Sequence, residues 1–478
     1  MSLTEISIVG FRGFSTEQIL RLAEPNGAPG SGLTVITGPN NGGKSSILEC
    51  LKARSASTPP SFTIGARNAA TDHVCITFKA FGATESIVSL SRGSSETAYK
   101  NRINELKVFH LPSRRAFVPY FQKNKMPREN YMENEARRGG HRPTELSNFP
   151  YRLFKILENP AEFNELLYYL LPDRPEWTID LNDQGSYFLK FYNGDNSHTS
   201  DGLGEGIVSL FAIVDAFYDS AAGDVIVVDE PELSLHPALQ KRLALFLNRF
   251  AADRQVVIST HSPYFVSLAS MKNGGTLARV VSDVREGSKI YQLSEEGARN
   301  VTTLGEGNKF NPHVFGLDAR ELFFQEDGII LVEGQEDVVF FPDILQQLAV
   351  ELDGHFFGWG VGGAENMPRV CKILTDLGYQ RVAAVLDADK EDSLAKLRDE
   401  FPLYHFTCIP AADVRTKPEI KAKEGKIGLL DEKHQIRSEF KERTAQILNE
   451  LNRYLANDND QSGEPISVEA LPHHPPLP

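Results

Sequence analysis

Two groups of residues in this chain have the types and spacing to do chemistry on phosphates. The first is Gly38-Pro39-Asn40-Asn41-Gly42-Gly43-Lys44-Ser45, with Ser46 behind it. Glycines let backbone N–H groups close around phosphate oxygens, a lysine supplies the counter-charge, and a hydroxyl can ligand Mg²⁺. The second is a set of acids, Glu333, Asp337, Asp387 and Asp389, each at or just beyond the end of an apolar run. Clustered carboxylates are hard oxygen ligands of the kind that hold Mg²⁺ or Mn²⁺. Ions held that way can activate water and steady a leaving oxygen in phosphodiester cleavage. The other reading of each acid by itself is a strand cap that solvates a turn.

The elements that must position these residues are legible around them. Gly32 to Thr37 is a β-rich run entering the glycine loop, and Ile47, Leu48 and Leu51 then share one helical face. Strand, loop and helix is the context a phosphate-binding loop requires. Asp224-Val225-Ile226-Val227-Val228-Asp229-Glu230 reads as a parallel strand covered on both faces and ending in two carboxylates. Asp229 suits the Mg²⁺ side and Glu230 a general base for the attacking water. A third run, Gln255 to Ser259, leads through Thr260 to His261, where a γ-phosphate sensor would stand. Leu3 to Val9 alternates like an edge strand.

A new α/β pattern starts after Gly328. Ile329 to Val332 stops at Glu333-Gly334, a helical pattern runs from Val338 to Leu352, and Gly360-Val361-Gly362-Gly363 and Asn366 follow. A second apolar strand, Arg381 to Leu386, stops at Asp387-Ala388-Asp389. Two parallel strands ending in acids bring them to one end of a sheet.

The order of the first set is informative. The glycine loop, the segment Ser200-Asp201-Gly202-Leu203-Gly204-Glu205-Gly206, the Asp229-Glu230 strand, Ser234-Leu235-His236-Pro237 and His261 follow the order of ABC ATPases. The first 270 or so residues resemble the RecF/SMC-like branch, through FRGF, GPNNGGKSS, DEPELSLHP and STHSP. The signature departs from LSGGQ, and no Q-loop glutamine is assigned. Residues from about 326 to 420 resemble a Toprim domain, through LVEGQED, GVGGAEN and LDADK. Such a head followed by Toprim is the architecture of the OLD (overcoming lysogenization defect) family of ATP-dependent nucleases.

That resemblance implies an α/β chain: an ABC-type P-loop head over 1–325 with helical and β insertions at about 100–196, then a compact Toprim domain with a parallel sheet over 326–456. The segment 457–478 reads as a disordered tail. It implies ATP with Mg²⁺ between two heads, the glycine loop coming from one and Ser200, Gly204 and Gly206 from the other, hence a homodimer or higher even-numbered oligomer. It makes Glu333 the metal-binding and catalytic glutamate, Asp387 and Asp389 metal ligands with Mg²⁺ or Mn²⁺, and Asp337 a secondary metal or support position. Lys417 would stabilise charge on the scissile phosphate, with Lys390 and Arg415 as alternatives and an ordinary surface lysine as the other reading. The implied activity is ATP-regulated DNA cleavage, in bacterial phage defence. The competing expectation is an ATPase sensor or scaffold whose Toprim site is subordinate, cuts RNA, or serves a separate effector or helicase subunit.

Composition bounds the rest. Hydrophobic residues make up 41% and charged residues 24%, an ordinary globular balance. The four cysteines, Cys50, Cys75, Cys371 and Cys408, have no framework or ligand spacing, which favours a reducing compartment. No apolar stretch approaches a membrane span, so a cytoplasmic protein with no membrane partner is expected. Net charge is −14, yet Lys100 to Lys155 holds 13 Lys/Arg against 5 Asp/Glu. That basic segment, including Arg114, Arg115, Lys123, Lys125, Arg128, Arg137, Arg138 and Arg142 with aromatics interleaved, reads either as a solvated loop or as a nucleic-acid backbone contact, double-stranded DNA foremost.

Overall fold

The computed structural model describes residues 2–456 except 64, 104–105, 116–119, 138–145, 147, 194–195, 200–203, 308–322, 325 and 420–423. Ser200, Arg138, Arg142 and the segment 457–478 therefore lie outside the described residues. The chain divides into two compact units, Met1–Glu326 with Arg369–Gly378, and the remainder from Asp327.

In the first unit the strands are β1 (Leu3–Val9), β2 (Gln18–Arg21), β3 (Leu33–Thr37), β4 (Cys75–Ala80), β5 (Ala83–Ser89), β6 (Thr97–Lys100) and β7 (Val108–Leu111). They continue with β8 (Glu176–Leu181), β9 (Tyr187–Asn193), β10 (Asn196–Thr199), β11 (Val225–Asp229), β12 (Gln255–Ser259), β13 (Thr276–Asp283) and β14 (Gly287–Gln292). Six of them form the central sheet in the order β14-β13-β3-β12-β11-β7. Every residue of β3, β11 and β12 is buried, as the continuous apolar runs require of strands covered on both faces. The strand entering the glycine loop thus lies between β12 and β13, both parallel to it.

A five-stranded antiparallel sheet, β2-β1-β4-β5-β6, accompanies it. The alternation in β1 does not mark an edge: the strand pairs with β2 on one side and β4 on the other. Its polar positions find partners within the sheet region, Ser7 with Glu17 and Glu5 with Lys79 at 2.5 Å. Gln255, fully buried, clamps the strand's start by accepting from Leu3 N and donating to Leu3 O, both at 2.6 Å.

The helices that matter for the site are α1 (Lys44–Ser55), α2 (Arg128–Arg137), α3 (Phe149–Ile156), α4 (Ala161–Leu170) and α5 (Glu205–Asp219). The basic segment contains a core strand: β7 pairs in parallel with β11. Many of its cations also face inward. Asp215 on α5, 1% exposed, receives both Arg152 from α3 and Arg128 from α2. Asp219, one turn on, binds the same two arginines. Lys125 and Lys155 share Glu158, and Arg115 is buried. Arg114 and Lys123 remain exposed. Arg115, Arg128 and Arg152 are thus spent inside the fold, the last two holding α2 and α3 to α5, while Lys100, Arg102, Lys107, Lys125 and Lys155 are exposed as well.

The second unit is built on a four-stranded, all-parallel sheet of β15 (Ile329–Val332), β16 (His355–Phe356), β17 (Val382–Leu386) and β18 (His405–Cys408), ordered β16-β15-β17-β18. β15 and β17 are buried throughout. Helices Gln335–Leu348 and Ser438–Leu455 send Phe341, Ile344, Leu448, Leu451 and Leu455 into its core. No described helix is long and apolar enough to cross a membrane.

Candidate functional site

The glycine loop has the backbone its residues foretell. Gly38 and Gly43 lie at φ 131° and 116°, outside the reach of residues with a Cβ, and Asn41 is left-handed at φ 62°. A Cβ at Gly38 or Gly42 would strike Val280 O on β13 at 2.1 or 2.4 Å. Lys44 opens α1 and is 6% exposed, its Nζ donating to Gly38 O and Pro39 O at 2.9 Å. Ser46 is buried behind the loop.

β11 and β12 are neighbours, so their C-terminal ends arrive together beside this loop. Asp229, 6% exposed, accepts from Ser259 Oγ and from Ser45 Oγ at 3.4 Å. The hydroxyl and carboxylate expected to serve one Mg²⁺ are thus side by side, and the glycine-rich loop with its lysine fits a nucleoside triphosphate. Glu230 follows with a left-handed backbone, φ 47°, and its Oε1 lies 4.0 Å from His261 Nε2. Burial, and then the nearby Lys44, holds His261 below its ordinary range, so the ring is neutral at pH 7. Glu230 and His261 are brought together as expected.

Sequence reasoning missed Glu232. Its carboxylate accepts from the backbone N–H of His261 and from Thr260 Oγ1, and burial pushes it up from the usual glutamate range. Gly204 precedes α5, and Gly206 lies where a Cβ would meet Ser234 O at 2.3 Å. The described part of the signature therefore adjoins the loop that follows Glu230.

In the second unit, the adjacency of β15 and β17 does what their endings foretell: Asp387 N donates to Glu333 Oε1 at 3.0 Å. Asp387 is pushed up to about 8, first by burial and then by the negative charges of Glu333, Asp337 and Asp413. Asp337 accepts from Gly334 N at 2.8 Å at the start of helix Gln335–Leu348, and burial raises it to about 6. The glycine turn backs this acid end: Gly363 N donates to Glu333 O at 2.8 Å, and Gly360, φ 85°, packs on Gly334.

Asp413 is a further acid that sequence reasoning passed over. It is 5% exposed and follows β18, the strand beside β17. Lys417 sits on Asp413 at 2.6 Å and on Glu336 at 3.0 Å, so it pairs with the acids although its side chain is 42% exposed. Asp389 is engaged by Lys426 at 3.0 Å and by Lys390 at 3.6 Å, while Arg415 pairs with Glu336. Lysines thus stand on two of the acids, and among the described residues no three acids, cysteines or histidines are gathered closely enough to form a metal site as they stand. The donor set itself fits a hard divalent cation: all oxygen, strongly anionic, and costly to leave unneutralised when buried.

Comparison with known proteins finds two separate matches along the chain. A family model for an AAA domain, described as a putative AbiEii toxin of a type IV toxin–antitoxin system, matches residues 86–267. A second, for the Toprim domain of overcoming-lysogenization-defect-like proteins, matches residues 323–389. The chain thus carries an AAA-type ATPase region followed by an OLD-like Toprim region. The first match takes in Asp229, Glu230 and His261, and the second takes in Glu333, Asp337, Asp387 and Asp389. No curated protein matches. Similar solved structures include the SMC head domain from Thermotoga maritima, at 16% identity over 62% of this chain and 100% of that one, TM-score 0.35. Another is the Smc head with an extended coiled coil bound to the C-terminal domain of ScpA from Pyrococcus furiosus, at 12% identity over 64% and 100%, TM-score 0.40.

Proposed function

We propose that this chain is an OLD-family, ATP-regulated, divalent-metal-dependent endonuclease acting on DNA in anti-phage defence. The observation that carries the nuclease reading is the meeting of Glu333 and Asp387 at the ends of adjacent parallel strands, with Asp413 arriving from the next strand. Glu333, Asp387 and Asp389 would hold Mg²⁺ or Mn²⁺, with Asp337 fixing the Glu333–Gly334 turn. When bound, the ions would supply a nucleophilic water and charge neutralisation at the leaving oxygen. Lys417 and Lys426 then stand where a scissile phosphate's negative charge would be met.

In the head, Lys44 and the loop N–H groups would hold the β- and γ-phosphates, and Ser45 and Asp229 would flank Mg²⁺. Glu230 would take the proton of the attacking water, and His261 would report on the γ-phosphate. A homodimer completes the site, with the Gly204–Gly206 end of α5 closing on the partner's nucleotide. Defence and DNA as substrate rest on the OLD resemblance, and a cytoplasmic location on the scattered cysteines and the lack of a long apolar stretch.

Plasmid cleavage across metals and nucleotides tests this reading. Glu333→Ala and Asp387→Ala should abolish cutting and leave ATP hydrolysis intact, whereas Lys44→Ala should remove hydrolysis. Cleavage that survives both acid substitutions would sink the nuclease assignment. A second reading, an ATPase sensor whose Toprim site is subordinate, draws on the lysines seated on Asp389 and Asp413. Wild-type protein inert on DNA in every nucleotide state would favour it.

A further inference from the structure

Arginine is costly to bury, and a buried one is retained where its planar fork of five N–H donors is used. Arg115 is 2% exposed. It stands just beyond β7, the strand beside β11, so its side chain reaches the end of the carboxylate strand. Its Nη1 donates to Asp229 O at 2.6 Å and to Pro112 O at 2.7 Å, and its Nη2 donates to Glu230 O at 2.9 Å. The Nε donates to Ser209 Oγ at 2.7 Å. Ser209 is the fifth residue of α5, one turn inside its Gly204–Gly206 end. Burial pulls the guanidinium down only to about 10, so it is charged at neutral pH.

What it grips is a backbone that needs gripping. Glu230 is left-handed at φ 47°, a setting rarely adopted by a residue with a side chain, and Pro231 after it disfavours the right-handed helical alternative. Glu230 N is held by Ser259 O at 2.9 Å, and Arg115 holds the carbonyls on both sides of the same residue's N–Cα–C unit. The backbone that aims the Glu230 carboxylate is therefore held by a cation bonded to Pro112, Ser209, Asp229 and Glu230.

We propose that Arg115 is the positioning residue of the ATPase site: it fixes the backbone of Glu230 and ties it to the signature helix α5 through Ser209. Movement of α5 is thereby transmitted to the general base, so hydrolysis depends on where that helix sits. This inference rests on the ATPase reading and goes one residue beyond it.

The test is steady-state ATP hydrolysis by the full chain, with binding of a fluorescent ATP analogue measured in parallel. Arg115→Met should lower kcat about 100-fold, the scale expected when a catalytic group is misplaced by about 1 Å, with KM and analogue affinity within about threefold of wild type. Arg115→Lys, which keeps the charge but not the fork, should stay more than tenfold down, and Ser209→Ala should lose about threefold to tenfold. Guanidinium ion added to Arg115→Met should restore part of kcat, which a merely structural role would not allow.

Folded Arg115→Met with wild-type kcat would overturn the proposal, as would equal losses in analogue binding and kcat. Should Arg115→Met fail to fold, Arg115→Lys and Ser209→Ala decide: wild-type kcat in both overturns it. Wild-type protein that binds but never hydrolyses ATP, like a Glu230→Gln control, would instead defeat the ATPase reading itself.

Discussion

The carboxylate of Glu232 receives the backbone N–H of His261 at 2.6 Å and the hydroxyl of Thr260 at 2.8 Å. One acid therefore sets the loop that carries His261, the proposed γ-phosphate sensor, two residues beyond the acid proposed to act on water. Glu232→Ala should cost about tenfold in ATP turnover, the worth of roughly 1.4 kcal/mol, with nucleotide affinity nearly unchanged. Glu232→Gln, which keeps an acceptor, should recover most of it. Parallel kcat and binding measurements check the pair; a pure affinity loss would refute the assignment.

Asp215 is buried against Arg128 and Arg152. Arg152→Met leaves that carboxylate half-paired and should lower unfolding free energy by about 3 kcal/mol, read from urea midpoints. Affinity for double-stranded DNA should change little, because this cation is spent inside the fold. A selective loss of DNA binding at unchanged stability would return Arg152 to the nucleic-acid surface.

At Gly360 both φ, 85°, and space forbid a side chain: a Cβ would stand 2.7 Å from the backbone of Gly334. Gly360→Ala should cost about 1–3 kcal/mol and push the Glu333–Gly334 turn outward. Metal-dependent cleavage should fall at temperatures where circular dichroism still reports a folded chain, while ATP hydrolysis persists. Full cleavage by the folded variant would show that Glu333 does not depend on this packing.

His110 on β7 is pushed down to about 3 by burial and then by Lys52. The fold thus prefers the neutral ring, and the unfolded chain, titrating near 6.5, takes up a proton that the fold refuses. Stability contributed by this preference is whole above about pH 6.5 and drains as pH falls toward 3, by up to about 1.4 kcal/mol per unit. Wild type should lose about 1 kcal/mol more than His110→Leu between pH 6.5 and 5.5 in urea titrations. Parallel losses in the two proteins would contradict the assignment.

The parts legible in the sequence were those whose signal is local. β11, β12, β15 and β17 are continuous apolar runs that stop at an acid or at the Thr260-His261 step, and only a doubly covered parallel strand needs that pattern. Arg115, Arg128 and Arg152 were not legible as buried residues. They lie in a segment rich in cations, while their partners Ser209, Asp215, Asp219, Asp229 and Glu230 lie 63 to 115 positions away. Asp413 hid for a related reason: it follows the short β18, half-covered and without an unbroken apolar run. β1 misled because its polar positions are satisfied by partners that periodicity does not reveal.

The placing of β3 between β12 and β13 has a bearing on synthesis. The strands flanking β3 begin only at residues 255 and 276, far beyond the glycine loop. A ribosome must therefore add more than two hundred residues after Lys44 before the loop can acquire its frame. A chain stopped before β13 would carry the binding motif without the strand on which Gly38 and Gly42 pack.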